Sequence, residues 1–176
     1  MCWYKGSLLT KLHRYTEAIQ SYEKSEKLGF GRSRLDIIGL FGHMGNYSEV
    51  IKRSEEVIKR SEVIKRSEVL VIDIDQEASR SKIAAMFFKA NALDALGNYD
   101  EAIKCYDQVI ASMYTSGDPL YYRGRSKVKD GDIMNGLSDL KAAVERNDMY
   151  QKLANSDKDF ESIRNDPVFR SIVTKP

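Results

Sequence analysis

The 176 residues suffice for one ordinary domain or one array of small repeats. Lys and Arg number 28 against 26 Asp and Glu, and 42% of residues are hydrophobic, which marks a folded chain and argues against a dedicated nucleic-acid binder with its basic excess. Cys2 and Cys105 cannot build a disulfide framework, the run Ile83 to Phe88 is too short to span a membrane, and MCWYKG lacks a signal-peptide pattern, so a cytoplasmic location is the expectation.

Along the chain, four ten-residue blocks (WYKGSLLTKL, LDIIGLFGHM, FFKANALDAL and YYRGRSKVKD) are each followed by a thirteen-residue block. These are HRYTEAIQSYEKS from His13, GNYSEVIKRSEEV from Gly45, GNYDEAIKCYDQV from Gly97 and GDIMNGLSDLKAA from Gly131. Equivalent residues Ala18, Val50, Ala102 and Gly136 are 32, 52 and 34 apart, a period near 34 with one long interval. In the thirteen-residue block from Gly97, Tyr99, Ala102, Ile103, Tyr106, Val109 and Ile110 make one stripe of an amphipathic helix. In the block before it, Phe87, Ala90, Leu93 and Leu96 predict a second helix. The column Gly6, Ile38, Ala90, Gly124 is small in three of its four members and would let paired helices approach closely. Gly45-Asn46 and Gly97-Asn98 supply the turns between them. Each unit is then a helix–turn–helix that hides its apolar faces only by stacking on its neighbours.

The set of columns resembles the tetratricopeptide repeat, with GNYDEAIKCYDQVI and RYTEAIQSYEKS similar to good second helices of that family. The second and fourth units depart from it, since Val50 and Gly136 replace alanine and Ser54 replaces an aromatic. The resemblance implies an all-α, right-handed superhelical array of four helix pairs. The units are about 1–32, 33–82 (with an insertion around 51–72), 83–116 and 117–148. Residues 149–176 fall outside the period and are expected to form a helical cap, with Ser156 or Asp157 capping one helix and Pro167 opening another. Tyr150, Leu153, Phe160, Ile163, Phe169, Ile172 and Val173 would cover the last repeat.

The long interval reads IKRSEEV, IKRSEV, IKRSEV and exceeds a 34-residue period by 18. Lengthening two antiparallel helices by about nine residues each preserves helical phase and predicts an elongated hairpin after the second unit. Its second helix would run from about Ser48 to Val71, and Asp75 would cap a first helix starting near Gln76. At 100° per residue Val50, Val57 and Ile64 share a stripe, while Val63 and Leu70 fall on the opposite side and are candidates for self-association into a homodimer. The mixed Lys, Arg and Glu of the hexads read as a face laced by salt bridges.

Catalysis has little to work with. His13 and His43 fall near turns without a nucleophile or carboxylate at a suggestive spacing, and no zinc, calcium or phosphate-loop motif is complete. No enzyme, metal or cofactor is expected. In arrays of the resembling family, first helices line a concave groove that recognises partners. The matching candidates here are Trp3, Tyr4, Phe87 and Phe88, with Asn91, and Tyr121, Tyr122, Arg125 and Lys129. Aromatic residues with Arg are the usual material of binding hot spots, which points to a scaffold for a peptide or partner-protein segment. Co-chaperones of the family clamp a partner's C-terminal carboxylate with Lys, Asn and Arg. Trp3, Ser7, Asp36, Ala84 and Phe88 stand at those positions and disfavour that mode. Asp36, Asp94 and Asp118 on the first-helix side argue against an RNA-associated adaptor.

Overall fold

The computed structural model describes residues 2–66, 72–112 and 116–174, and every element among them is helical. The chain folds as two compact units, Met1–Ala92 and Leu93–Pro176. The first holds α1 (Cys2–Lys11), α2 (Tyr15–Lys27), α3 (Ser33–His43), α4 (Tyr47–Arg66) and most of α5 (Ile72–Ala95). The second holds the last turn of α5, then α6 (Tyr99–Ala111), α7 (Asp118–Asp130), α8 (Ile133–Arg146), α9 (Met149–Ser156), a 3-10 helix (Lys158–Ile163) and α10 (Pro167–Val173).

The turns between paired helices share one backbone solution. His13 and Gly45, Gly97 and Gly131 open the four thirteen-residue blocks, and all four have positive φ, at 56°, 70°, 80° and 95°. Glycine meets that need without steric cost, whereas His13 holds it with a side chain attached. The Asn46 carboxamide accepts from the Glu49 amide and the Ser48 hydroxyl, which starts α4.

Close approach of paired helices is sharpest in the last repeat. A Cβ on Gly136 would lie 2.6 Å from the Val128 side chain and 2.8 Å from the Gly124 carbonyl. In the first repeat, a Cβ on Gly6 would lie 2.8 Å from the Tyr22 ring. In the second repeat the bulk is exchanged: Ile38 replaces the glycine and Ser54 replaces the aromatic, and both are fully buried. That exchange accounts for the missing aromatic at Ser54.

The long helices sit where the insertion predicted. α4 has 20 residues and α5 has 24, against 10 to 14 for α1, α2, α3, α6, α7 and α8. Val50, Ser54, Val57 and Ser61 form the buried stripe of α4, whereas Val63 is 60% exposed. Lys89 pairs with Glu55 at 2.6 Å and Lys82 with Glu62 at 3.0 Å, so the charged hexads do carry ion pairs. One expectation is corrected: α5 begins at Ile72, so Asp75 lies inside the helix rather than at its cap. The expected end at Val71, and Leu70, lie outside the described residues.

The tail closes the second unit. Asp157 accepts from the Asp159 amide at 3.0 Å and opens the 3-10 helix. Asp166 accepts from the amides of Val168 and Phe169, with Pro167 at the first position of α10. Tyr150, Phe160, Ile163, Phe169, Ile172 and Val173 enter one core with Leu120, Tyr121, Val128, Leu137, Leu140 and Ala143. Leu153 is the exception; it stays 38% exposed on the flank of α9 beside the face of buried Tyr150 and Ala154.

Candidate functional site

The first helices α1, α5 and α7 carry the predicted recognition residues, and the two units treat them differently. In the first unit Trp3 is half-buried, and its indole Nε1 donates to Asp36 Oδ2 at 2.8 Å. Asp36 is thereby committed to an internal bond. Tyr4 meets Trp3 edge to face at 5.3 Å between centroids and is 75% exposed. Phe88 is half-buried against the core of Ile38, Val50 and Val57, while Phe87 and Asn91 are half-buried as well.

In the second unit the equivalent face of α7 is occupied by the chain's own tail. Tyr121 is only 1% exposed; its hydroxyl donates to Asp157 Oδ2 at 2.7 Å and the Phe160 ring stands edge-on to it at 5.8 Å. Burial, then that hydrogen bond, pushes the Tyr121 phenol well above its ordinary pKa, so it remains a neutral donor. Tyr122 is half-buried, stacked on Tyr106 at 6.5 Å, with the Arg125 guanidinium 4.9 Å from its ring centroid.

Arg125 and Lys129 meet three carboxylates. Arg125 Nη2 donates to Asp94 Oδ2 at 2.9 Å, Nη1 lies 3.8 Å from Asp157, and Nε lies 3.4 Å from Asp159. Lys129 Nζ is 3.2 Å from Asp94 and 3.5 Å from Asp159 and lies over the Tyr99 ring at 5.0 Å. Asp94 is 2% exposed and also accepts from Ser126 Oγ at 2.6 Å. Burial opposes the charge on Lys129, but Asp94 and Asp159 outweigh it, and its ammonium titrates above the usual lysine range. The cations predicted for partner recognition are therefore seated in an internal network.

Sequence reading placed Asp94 on the first-helix side but did not pair it with the cations, and it missed Asp157 and Asp159 as members of this face. The signal for Asp94 was present: its repeat column is otherwise Thr10, Gly42 and Val128, and a lone carboxylate among small and apolar residues demands a partner. His13 is a turn residue, its Nδ1 2.8 Å from the Tyr15 hydroxyl, and His43 ends α3 stacked on Tyr15. Among the described residues no group of His, Cys, Asp or Glu could hold a metal ion, and no helix is long and apolar enough to cross a membrane.

Helix pairs with a shared left-handed turn, small residues at their crossings and a first-helix face rich in aromatics define the architecture. Family models described as tetratricopeptide repeat match residues 83–114 and residues 1–28. It is a tetratricopeptide repeat protein. No curated protein matched the chain. The matched stretches contain the two repeats with Ala18 and Tyr22, or Ala102 and Tyr106, at the key second-helix positions. The repeats with Ser54 and Gly136 lie outside both matches, in keeping with their altered packing. Tetratricopeptide repeats generally mediate interactions between proteins.

Proposed function

We propose that this tetratricopeptide repeat protein is a non-catalytic interaction scaffold that binds a partner segment on its first helices. The observation that supports this reading most is the exposure of one repeat column. Tyr4, Phe88 and Tyr122 occupy one repeat position, whose fourth member is Asp36, and all three keep part of their rings at the surface while Tyr121, next to Tyr122, is buried. Amphipathic aromatics on rigid helices give contact area at little entropic cost. Trp3, Phe87 and Asn91, each half-buried, are further members of the proposed face, and Arg125 and Lys129 bring to it cations paired with carboxylates. The test is capture of partners by the wild type and by Phe88→Ala/Tyr122→Ala, after both show equal helicity and melting. Partners lost only in the variant are the expected result; an unchanged partner set would overturn the reading.

A second reading, self-association through the hexad hairpin, rests on Val63 at 60% exposure on α4. Its test is mass in solution against concentration. A dimer that Val63→Lys dissolves would favour it, and a concentration-independent monomer would remove it.

A further inference from the structure

We infer that Arg125 and Lys129 form a binding site for an acidic segment of a partner, and that the Asp159 carboxylate occupies this site as a built-in competitor. The inference rests on the proposed use of the first-helix face and names the chemistry of its occupant in the second unit.

The two tail carboxylates are held differently. Asp157 caps the 3-10 helix and accepts the Tyr121 hydroxyl at 2.7 Å, so it belongs to the cap. Asp159 faces the cations at 3.4 Å and 3.5 Å, longer than the 2.7–2.9 Å typical of a charge-assisted hydrogen bond, and its side chain is 37% exposed. The Arg125 Nε is buried and makes no hydrogen bond among the described residues. A buried guanidinium donor without an acceptor is costly, and a better-placed carboxylate would satisfy it. Asp159 can swing outward without moving Phe160, which stays in the core as the next residue. An incoming carboxylate then replaces the departing one, so the charge of the network with Asp94 and Asp157 is unchanged. The Tyr122 and Tyr99 rings beside Arg125 and Lys129 would flank an acidic residue with apolar neighbours.

The test uses the whole chain and fluorescence anisotropy with a labelled peptide, Asn-Ser-Asp-Lys-Asp-Phe-Glu-Ser-Ile-Arg, which copies residues 155–164. A second peptide carries Asn in place of both Asp, and inorganic phosphate serves as a free-anion competitor. Asp159→Ala is expected to bind the acidic peptide at least about five-fold tighter than wild type, because it removes an intramolecular competitor of high effective concentration. The gain should vanish in Asp159→Ala/Lys129→Ala and with the Asn peptide, and should shrink as salt rises. Equal affinity of wild type and Asp159→Ala, a gain kept by the Asn peptide, or full competition by low-millimolar phosphate would each overturn the proposal. A partner lost in Phe88→Ala/Tyr122→Ala yet indifferent to Asp159→Ala would leave the aromatic face in place and remove only the competitor.

Discussion

The two units are built from the same repeat, yet their first-helix faces are covered to different degrees. At the start of the first unit Tyr4 and Leu8 of α1 stand exposed. Their equivalents in the second unit are Tyr122, half-buried, and Ser126, buried, and Tyr121 is 1% exposed where Trp3 is half-buried. The difference lies in the chain beyond each helix pair. The preceding repeat supplies Asp94, to which buried Ser126 donates, and the non-repeating tail supplies Asp157 and Phe160 against Tyr121. The lesson is that a residue's place in the repeat says which face it is on, while its neighbours beyond the repeat decide whether that face is open.

The largest expected break of this comparison is Phe160→Ala. The ring is fully buried between Tyr121 and Phe169, and its loss should cost about 3–5 kcal/mol and unfold the second unit first. Tyr4→Ala removes an equally large side chain from the first unit and should change stability by less than about 0.5 kcal/mol. Denaturant unfolding followed by hydrogen exchange resolves both; equal costs would mean that the cap is not what separates the units.

Glycines give the next contrast. Gly136→Ala forces a Cβ to 2.6 Å from Val128 and should cost about 1–3 kcal/mol. Gly39→Ala in α3 meets nothing closer than the Phe88 ring at 3.8 Å and should gain about 0.5–1 kcal/mol from helix propensity. Melting temperatures that move in the same direction would refute the difference in packing.

A smaller effect is expected at Ser54, whose buried hydroxyl has no hydrogen-bond partner among the described residues. Ser54→Ala should leave stability unchanged or raise it by about 1 kcal/mol in thermal unfolding, and a clear loss would show that the hydroxyl is satisfied after all.

The mildest contrast is with pH. In the second unit burial raises the phenols of Tyr106 and Tyr121, and Lys129 is raised by its carboxylates once burial is offset. Raised folded-state values mean that their stabilisation is complete below the unfolded tyrosine value of about 10 and is lost as pH climbs beyond it. Among the described groups of the first unit whose shifts are resolved, Arg14 and Arg53 are raised and Glu17 is lowered, and none of these titrates in that window. Hydrogen exchange above pH 10 should therefore open the second unit before the first.

How much of this was legible in the sequence depends on where its signals repeat. Gly45-Asn46 and Gly97-Asn98 announced their turns, and positive φ at the equivalent His13 and Gly131 shows that one geometric need recurs even where histidine must meet it. The stripe Val50, Val57, Ile64 foretold which side of α4 turns inward and that Val63 would not. Non-periodic contacts were harder to see. Arg125 and Lys129 could be placed on the recognition face, but their engagement with Asp157 and Asp159 joins a repeat to a segment that obeys no repeat, some thirty residues away. Asp75 misled because a good capping residue is equally tolerated within a helix whose neighbours extend it.

The exchange of bulk between Ile38 and Ser54 constrains how such a chain can be recombined. In the first repeat the second helix supplies the large ring and the first helix the space for it. In the second repeat those contributions are reversed. A hybrid pairing α1 with α4 would set glycine opposite serine and leave a hollow; one pairing α3 with α2 would set isoleucine against tyrosine and jam. Whole hairpins can be duplicated, deleted or transplanted, whereas single helices cannot. The heritable building block of this protein is the helix pair, because the fit is a property that neither helix possesses by itself.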